Sequence, residues 1–97
     1  MIEFQEGYHA YYVYILTNKT KTVLYIGVTN NLKVRLQQHL ESLNPTSFTS
    51  KYNVHFLLHY EKFTWIQLAI AREKELKGWK RDKKMELIKS INPDLNS

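Results

Sequence analysis

The chain contains no cysteine, only two prolines and only three glycines among its 97 residues. The absence of cysteine excludes disulfide bonds, thiolate metal sites and cysteine catalysis. No apolar run approaches the roughly 20 residues that a membrane-spanning helix needs, so we expect no membrane insertion. The first six residues are acidic and lack the basic and apolar regions of a signal peptide. These absences predict a cytoplasmic protein of one domain, which is the usual organisation at this length.

The balance of charge is basic, with 14 Lys and Arg against nine Asp and Glu and a net charge of +5. A basic surface attracts polyanions, and nucleic acid is the commonest polyanion in a cell. The alternative interpretation is that the charge only keeps the protein soluble. Composition therefore favours a nucleic-acid partner without establishing one.

Six elements are predicted in the order strand, strand, helix, strand, helix, helix. They cover residues 11–17, 23–27, about 31–42, 52–63, 65–79 and 80–90. Asn30 or Asn31 is expected to cap the first helix and Thr64 the second, while Gly78 separates the last two helices. Residues 1–10 are predicted to be a flexible arm before a domain spanning 11–97.

The first strand is apolar on both faces, which is typical of a central strand. Its short polar connection to the second strand predicts an antiparallel hairpin, and Gly27 is expected to end that second strand where the backbone turns or approaches a neighbour. Because a three-stranded sheet cannot cover itself, helices must pack on its faces. The predicted fold class is α+β (mixed α/β), with a three-stranded antiparallel sheet flanked by three helices in the order ββαβαα.

Three polar side chains lie beside the apolar stripes of the predicted helices. Arg35 and His39 are one turn apart and could bind a phosphate and transfer a proton, but by position alone a snorkelling Arg and a boundary His explain the pattern better. Glu73 lies on the shoulder of the second helix, where it could bind a cation or simply pair with Lys77 in water. The face predicted to be buried on that helix consists of Trp65, Leu68, Ala69, Leu76 and Trp79.

Clustered tyrosines and a basic run complete the set of candidates. Strand tyrosines such as Tyr14 and Tyr25 usually pack in the core, although a phenol near a cation can act as a base. Residues 72–84 hold seven positive and three negative charges, which suits contact with a phosphate backbone or a solvated helix face. The basic residues predicted to contact DNA are Lys33, Lys77, Lys80 and Arg81.

The strings Tyr12-Val13-Tyr14-Ile15 and Leu24-Tyr25-Ile26-Gly27 resemble the two tripeptides of the GIY-YIG endonuclease superfamily. The arginine at position 35, eight residues beyond Gly27, and the glutamate of Ala69-Ile-Ala-Arg-Glu73 also match the family's order and spacing. Residues from about 11 to 96 are similar to the short stand-alone members related to the N-terminal nuclease domain of the bacterial excinuclease.

This resemblance implies a divalent-metal-dependent DNA endonuclease that hydrolyses a phosphodiester bond in DNA repair or recombination. It implies that Tyr14 is the general base and that Tyr25, Arg35 and His39 complete the catalytic set. Glu73 would be the single protein ligand of Mg²⁺ or Mn²⁺. Gly27 would turn the chain into the site, and Asn96 would contact substrate, although Asn92 is an equal candidate.

Two departures from the family pattern leave an alternative open. Tyr12 stands where the first glycine of the signature is usual, and Val28 stands where some members carry a lysine. Without that lysine, activation of the base depends on His39, Arg35 or the metal. The alternative function is a non-catalytic or weakly active nucleic-acid-binding module, and a protein-interaction domain is a third. The chain is expected to be a monomer or a weak homodimer, with a partner protein or its own surface providing specificity.

Overall fold

The structure of the protein is a computed structural model, which describes residues 10–41 and 53–96. These residues form three strands and three helices in the predicted order. The elements are β1 Tyr11–Thr17, β2 Leu24–Thr29, α1 Leu32–Glu41, β3 Phe56–Phe63, α2 Ile66–Gly78 and α3 Arg81–Ile91. The predicted arm before Ala10, the loop at 44–50 and the start of the third strand at Tyr52 lie outside the described residues.

β1 is the middle strand of one antiparallel sheet with the order β2-β1-β3, as predicted. Its residues 13–17 are all buried because neighbouring elements cover both of its faces. Tyr14 is the register partner of Gly27 on β2 and of Tyr60 on β3. Register partners point to the same face of a sheet, so this pairing decides which side chains meet above Tyr14.

The two faces of the sheet carry separate clusters of apolar side chains. On one face Tyr14, Leu16 and Val54 are buried under the stripe of α1 formed by Leu32 and Leu36. The other face packs against α2 and α3. Its buried residues are Val13, Ile15, Ile26, Leu58, Ala69, Leu76 and Ile88.

Side chains close the ends of the elements. The Asn18 Oδ1 accepts hydrogen bonds from the backbone N–H groups of Thr22 (2.8 Å) and Val23 (3.1 Å), which shapes the turn between β1 and β2. The Asn31 Oδ1 accepts one from the backbone N–H of Val34 at 3.1 Å, so Asn31 rather than Asn30 caps α1.

A one-residue bulge interrupts the pairing of β1 with β3. Ile15 pairs with His59 and Leu16 with Leu57, so Leu58 is the extra residue. Its backbone carbonyl accepts a hydrogen bond from the Asn92 Nδ2 at 3.1 Å. A bulge frees a ladder carbonyl, and Asn92, at the end of α3, supplies its replacement donor.

A polar network fixes α2 against β3. The Arg72 Nε and the Glu61 Oε1 are 2.8 Å apart, and the Glu61 Oε2 is 2.9 Å from the Nε2 of the buried His59. Burial raises the pKa of Glu61, but hydrogen bonds from Arg72 and then His59 outweigh it and leave this pKa below its ordinary value. The hydrogen bond to Glu61 likewise raises the pKa of Arg72. We call these three residues the Arg72 clamp.

Several predictions at the element ends were wrong. On α2 the predicted burial of Ala69 and Leu76 is confirmed, but Trp65 and Leu68 are 65% and 54% exposed. The side chain of Arg72 lies on the inward face with Ala69 and Leu76. Thr64 does not cap α2; Trp65 occupies the cap position and makes no side-chain cap bond. Gly27 does not end β2 but lies within it, and its backbone angle is not unusual.

Candidate active site

Tyr14 lies at the centre of the candidate site, on the sheet face covered by α1. Its side chain has no exposed surface. A Cβ on the opposite residue, Gly27, would lie only 2.5 Å from the phenol oxygen and 2.6 Å from the Cζ of this ring. The ring therefore occupies the space that any other residue at position 27 would fill. Sequence reasoning correctly expected a close approach at Gly27 but wrongly expected a turn.

α1 presents His39 and Arg35 to this phenol. The Tyr14 hydroxyl and the His39 Nε2 are 3.2 Å apart. The Tyr25 ring meets the His39 ring edge-on at 5.5 Å and lies 6.3 Å from the Tyr14 ring. The positive charge of Arg35 acts on the Tyr14 phenol as well, because it opposes the rise in the pKa of this group. Four of the five predicted catalytic residues thus meet around one buried oxygen.

The electrostatics of the site keep both the phenol and the imidazole neutral near pH 7. Burial raises the pKa of Tyr14 to about 12, and Tyr25 adds to the rise while Arg35 opposes it. Burial and then the positive charge of Arg35 lower the pKa of His39 below its ordinary value. A neutral His39 can accept the hydrogen bond that the Tyr14 hydroxyl donates. The phenol oxygen can at the same time accept a bond from the Arg35 guanidinium.

Glu73 approaches the same phenol from α2. Its negative charge contributes to the raised pKa of Tyr14, although it is the smallest of the contributions. The Glu73 side chain is only 21% exposed, and its Oε2 is 3.2 Å from the Nζ of the more exposed Lys77. The structure therefore shows the predicted pair with Lys77, whereas the binding of a metal ion by Glu73 stays a prediction.

Glu73 offers a single, partly exposed carboxylate, which fits the way in which proteins commonly hold magnesium. Mg²⁺ commonly keeps several waters and takes one or two carboxylates, so a single partly exposed Glu suffices. Over residues 10–41 and 53–96, no three His, Asp or Glu side chains gather into a larger metal-binding group. Glu73 is the carboxylate whose charge acts on the Tyr14 phenol, so it is the residue in this region that could hold such an ion.

The predicted substrate-binding residues are distributed unequally. Lys33 is exposed on α1 and lines a groove next to the tyrosines. Lys77 lies with Tyr25 in a cleft of about 300 Å³ at the outer edge of β2. Lys80 is exposed at the start of α3, outside both cavities. Arg81 is engaged elsewhere, since its guanidinium donates to the backbone carbonyls of the β1–β2 turn at 2.6 and 3.2 Å.

Neither candidate asparagine reaches the phenol. The Asn92 amide holds the Leu58 carbonyl and the backbone of Asn96. The hydrogen bonds of Asn96 in the described part of the chain run to Asn92, on the side of the sheet covered by α2 and α3. The structure thus gives Asn92 a structural role and does not bring Asn96 to the tyrosine cluster.

Sequence reasoning missed Lys84 and Tyr60. Lys84 lines the same cleft as Tyr25 and Lys77, and so adds a cation at the edge of the site. Tyr60 stands beside Tyr14 through strand pairing, 46 residues further along the chain. The basic run contained Lys84, but only the packing of α3 beside β2 distinguishes it from the other lysines of that run.

Known proteins are similar to this chain in sequence and in fold. A family model described as the GIY-YIG catalytic domain matches residues 10–86. The UPF0213 protein of Syntrophus aciditrophicus is 36% identical over 83 residues, covering 86% of this chain and 93% of that protein. The UPF0213 protein of Natronomonas pharaonis is 33% identical over 78 residues, covering 80% and 89%.

Structural similarity agrees with the sequence matches. The solution NMR structure of a UPF0213 protein from Bacillus halodurans superposes with a TM-score of 0.57 at 26% identity, and the match covers 88% of each chain. The chain belongs to the GIY-YIG family, and its ββαβαα fold with an antiparallel three-stranded sheet is that of this UPF0213 structure. The family assignment places it among nuclease-type domains. No helix in the described ranges is long and apolar enough to cross a membrane.

Proposed function

We propose that this protein is a divalent-metal-dependent DNA endonuclease that hydrolyses a phosphodiester bond at the Tyr14 site. The observation that supports it most is the contact of the Tyr14 hydroxyl with His39, together with the charges of Arg35 and Glu73 that act on the same buried phenol. Each residue alone has an ordinary structural explanation. Their meeting provides an acid–base pair, a phosphate-binding cation and a metal-binding carboxylate within one site.

Tyr14 and His39 are proposed to act as a pair in activating the attacking water. A phenol with a pKa of about 12 is protonated at pH 7 and cannot itself serve as a free phenolate. As the Tyr14 oxygen takes a proton from water, its own proton passes to the neutral His39 Nε2, 3.2 Å away. The lowered pKa of His39 keeps the imidazole neutral beforehand, and the relay uses the tautomer whose proton is on Nδ1. This relay replaces the cation lost at Val28.

Arg35 and Tyr25 are proposed to hold the scissile phosphate. A guanidinium offers fork-shaped donors to phosphate oxygens, and the charge that grows on those oxygens in the transition state strengthens the bond. Glu73 would hold a Mg²⁺ or Mn²⁺ ion, which supplies Lewis-acid stabilisation of the leaving oxygen when bound. Lys77, which pairs with Glu73, would be released to DNA phosphate as the carboxylate turns to the ion.

The biological setting is a further part of the proposal. A role in DNA repair or recombination, carried out in the cytoplasm, rests on the similarity to the nuclease domain of the bacterial excinuclease. The proposal takes the chain as a monomer or weak homodimer, targeted by its own surface or by a partner protein.

The test is cleavage of end-labelled single-stranded, branched and nicked DNA with Mg²⁺ or Mn²⁺. We expect the wild type to cut at least one substrate and Glu73→Gln to lose at least 100-fold in rate. Glu86→Gln is the matched control, because it removes the same charge from an exposed position on α3. Equal rates for the Glu73 and Glu86 variants would overturn the proposed role of Glu73.

The second candidate, a nucleic-acid-binding module without useful catalysis, is favoured by two observations. The raised pKa of Tyr14 and the absence of a lysine at Val28 both weaken the base. This alternative expects salt-dependent DNA binding and no cleavage with either metal. Cleavage that Tyr14→Phe abolishes would exclude it.

A further inference from the structure

An open groove of about 590 Å³ lies on the sheet face of Tyr14, beside the start of α1. Its volume is within the range of cavities that bind small organic groups. The walls combine two phenol rings, two amides, one ammonium group and an aliphatic floor. The side chains that form these walls are Tyr12, Tyr60, Asn30, Asn31, Lys33 and Leu36.

The aromatic walls of the groove are accessible. Tyr60 remains 54% exposed although it is a large ring on the sheet. Its ring lies 6.1 Å from that of Tyr12, with the two planes inclined at 60°. An edge-to-face arrangement stabilises the two rings and leaves one ring face open to a flat ligand. Flat aromatic ligands that tolerate a basic, polar rim include nucleobases, which stack on protein aromatics irrespective of sequence.

The polar rim suits a nucleotide rather than a purely apolar ligand. Asn31 uses its Oδ1 to cap α1, which leaves its Nδ2 donors, and Asn30 adds a second exposed amide. Amides of this kind can bond the edge of a base. Lys33, exposed on the first turn of α1, is placed for a phosphate oxygen. The groove thus offers an aromatic surface for the face of a base, amides for its edge and an ammonium group for a phosphate.

The groove adjoins the candidate catalytic phenol through the sheet itself. Tyr60 is the register partner of Tyr14, and Tyr12 lies two residues before Tyr14 on the same face of β1. Two residues along a strand span roughly 6.6 Å. A base stacked in the groove would therefore belong to a nucleotide next to the phosphate held at Tyr14.

We propose that this groove binds an unpaired nucleobase flanking the scissile phosphate, so that the preferred substrate is DNA with unpaired nucleotides at the cut. The inference rests on the proposed nuclease function, whose site it extends. A base inside a duplex is stacked on its neighbours and must be extruded before it can enter such a groove, whereas a single strand, flap or bulge presents it without that cost.

The test measures binding without divalent metal, so that cleavage does not enter. A single-stranded oligonucleotide carrying one 2-aminopurine is titrated with the full chain in EDTA, next to its blunt duplex. We expect quenching of the fluorescent base and tighter binding of the single strand. Tyr60→Leu should weaken that binding by roughly 5- to 100-fold, the range expected for losing one base–aromatic stack.

Two variants separate stacking from general effects. Tyr60→Phe keeps the ring and should retain binding and quenching. Trp65→Leu removes an equally exposed ring that does not line the groove, and should also leave both unchanged. If Tyr60→Leu fails to fold by circular dichroism, Tyr12→Leu provides the same comparison.

The outcomes for the groove and for the nuclease are distinguishable. Binding that depends on Tyr60 in a protein that cuts nothing supports the groove and refutes the proposed nuclease. Metal-dependent cleavage with unchanged binding in Tyr60→Leu refutes the groove alone. Equal binding of single strand and duplex overturns the inference. So does a failure to bind both the single-stranded DNA and the RNA of the same sequence, and that result favours a peptide as the occupant.

Discussion

Replacing Gly27 by alanine adds one methyl group at the point where β2 passes the Tyr14 ring. The new Cβ would lie 2.5 Å from the phenol oxygen and 2.6 Å from the Cζ, whereas ordinary contact begins at 3.4 Å. The ring must therefore move by roughly 0.8–0.9 Å. Because Tyr14 is fully buried and packed against Tyr25 and His39, little free space is available to it.

Two effects of Gly27→Ala follow from this shift. Overpacking a rigid site costs about 1–3 kcal/mol, which urea denaturation can measure. The shift also disturbs the 3.2 Å contact between the Tyr14 hydroxyl and His39. A misplacement of about 1 Å at a reacting group can lower the rate by about 100-fold. We therefore expect single-turnover cleavage to slow by about that factor.

Gly78→Ala is the matched control, because a Cβ at the end of α2 meets nothing within 4 Å. That substitution should stabilise the protein by up to about 1 kcal/mol through the better helix propensity of alanine. A second control places Gly27→Ala in a Tyr14→Leu background, where no ring opposes the methyl group. If Gly27→Ala is harmless in the wild type, or equally harmful without the ring, the close approach of Tyr14 does not explain the glycine.

The remaining predictions concern the acid–base pair, the clamp and the bulge. His39→Gln should slow cleavage by about 100-fold and remove the acidic limb of the pH–rate profile, which lies below pH 6.5 because the pKa of His39 is lowered. Glu61→Gln should cost about 1–3 kcal/mol at pH 7, because Arg72 loses one of its two carboxylate partners and keeps Glu75. Asn92→Ala should cost a similar amount, since the bulge carbonyl of Leu58 loses its donor; urea denaturation measures both.

The clamp prediction also has a definite sign with pH. The pKa of Glu61 in the folded state is below its ordinary value of 4.5. Its stabilising contribution is therefore complete above that value and is lost as the pH falls through the folded pKa. Denaturation at several pH values from 7 to 3 should show a smaller loss for Glu61→Gln than for the wild type. An identical pH dependence would mean that the clamp does not stabilise α2.

Local signals in the sequence were sufficient for most of the fold. Strand β1 was recognised as central from its two apolar faces, and Asn31 as one of two caps for α1. α2 was harder, because apolar residues occur nearly all around it at Trp65, Ile66, Leu68 and Ile70. Periodicity therefore predicts the burial of Ala69 and Leu76 correctly but wrongly adds Trp65 and Leu68 to the buried side.

The long-range contacts of the site could not be predicted from spacing. The Arg81 guanidinium binds the turn carbonyls of Lys21 and Thr22, 60 and 59 residues away, and only tertiary packing reveals that it is engaged. Glu61 and Arg72 meet across two elements in the same way. The family spacing grouped the catalytic candidates, whereas the neighbourhood of Tyr60 and Tyr14 required the strand register.

A double-mutant cycle on single-turnover DNA cleavage with Mg²⁺ or Mn²⁺ tests the central claim most directly. Tyr14→Phe and Glu73→Gln are compared with the wild type and with the double variant on whichever substrate the wild type cuts. Because residues of one catalytic unit are strongly non-additive, the double variant should be about as slow as the slower single variant. Cleavage that persists near the wild-type rate in either single variant, or losses that simply multiply, would contradict one shared site.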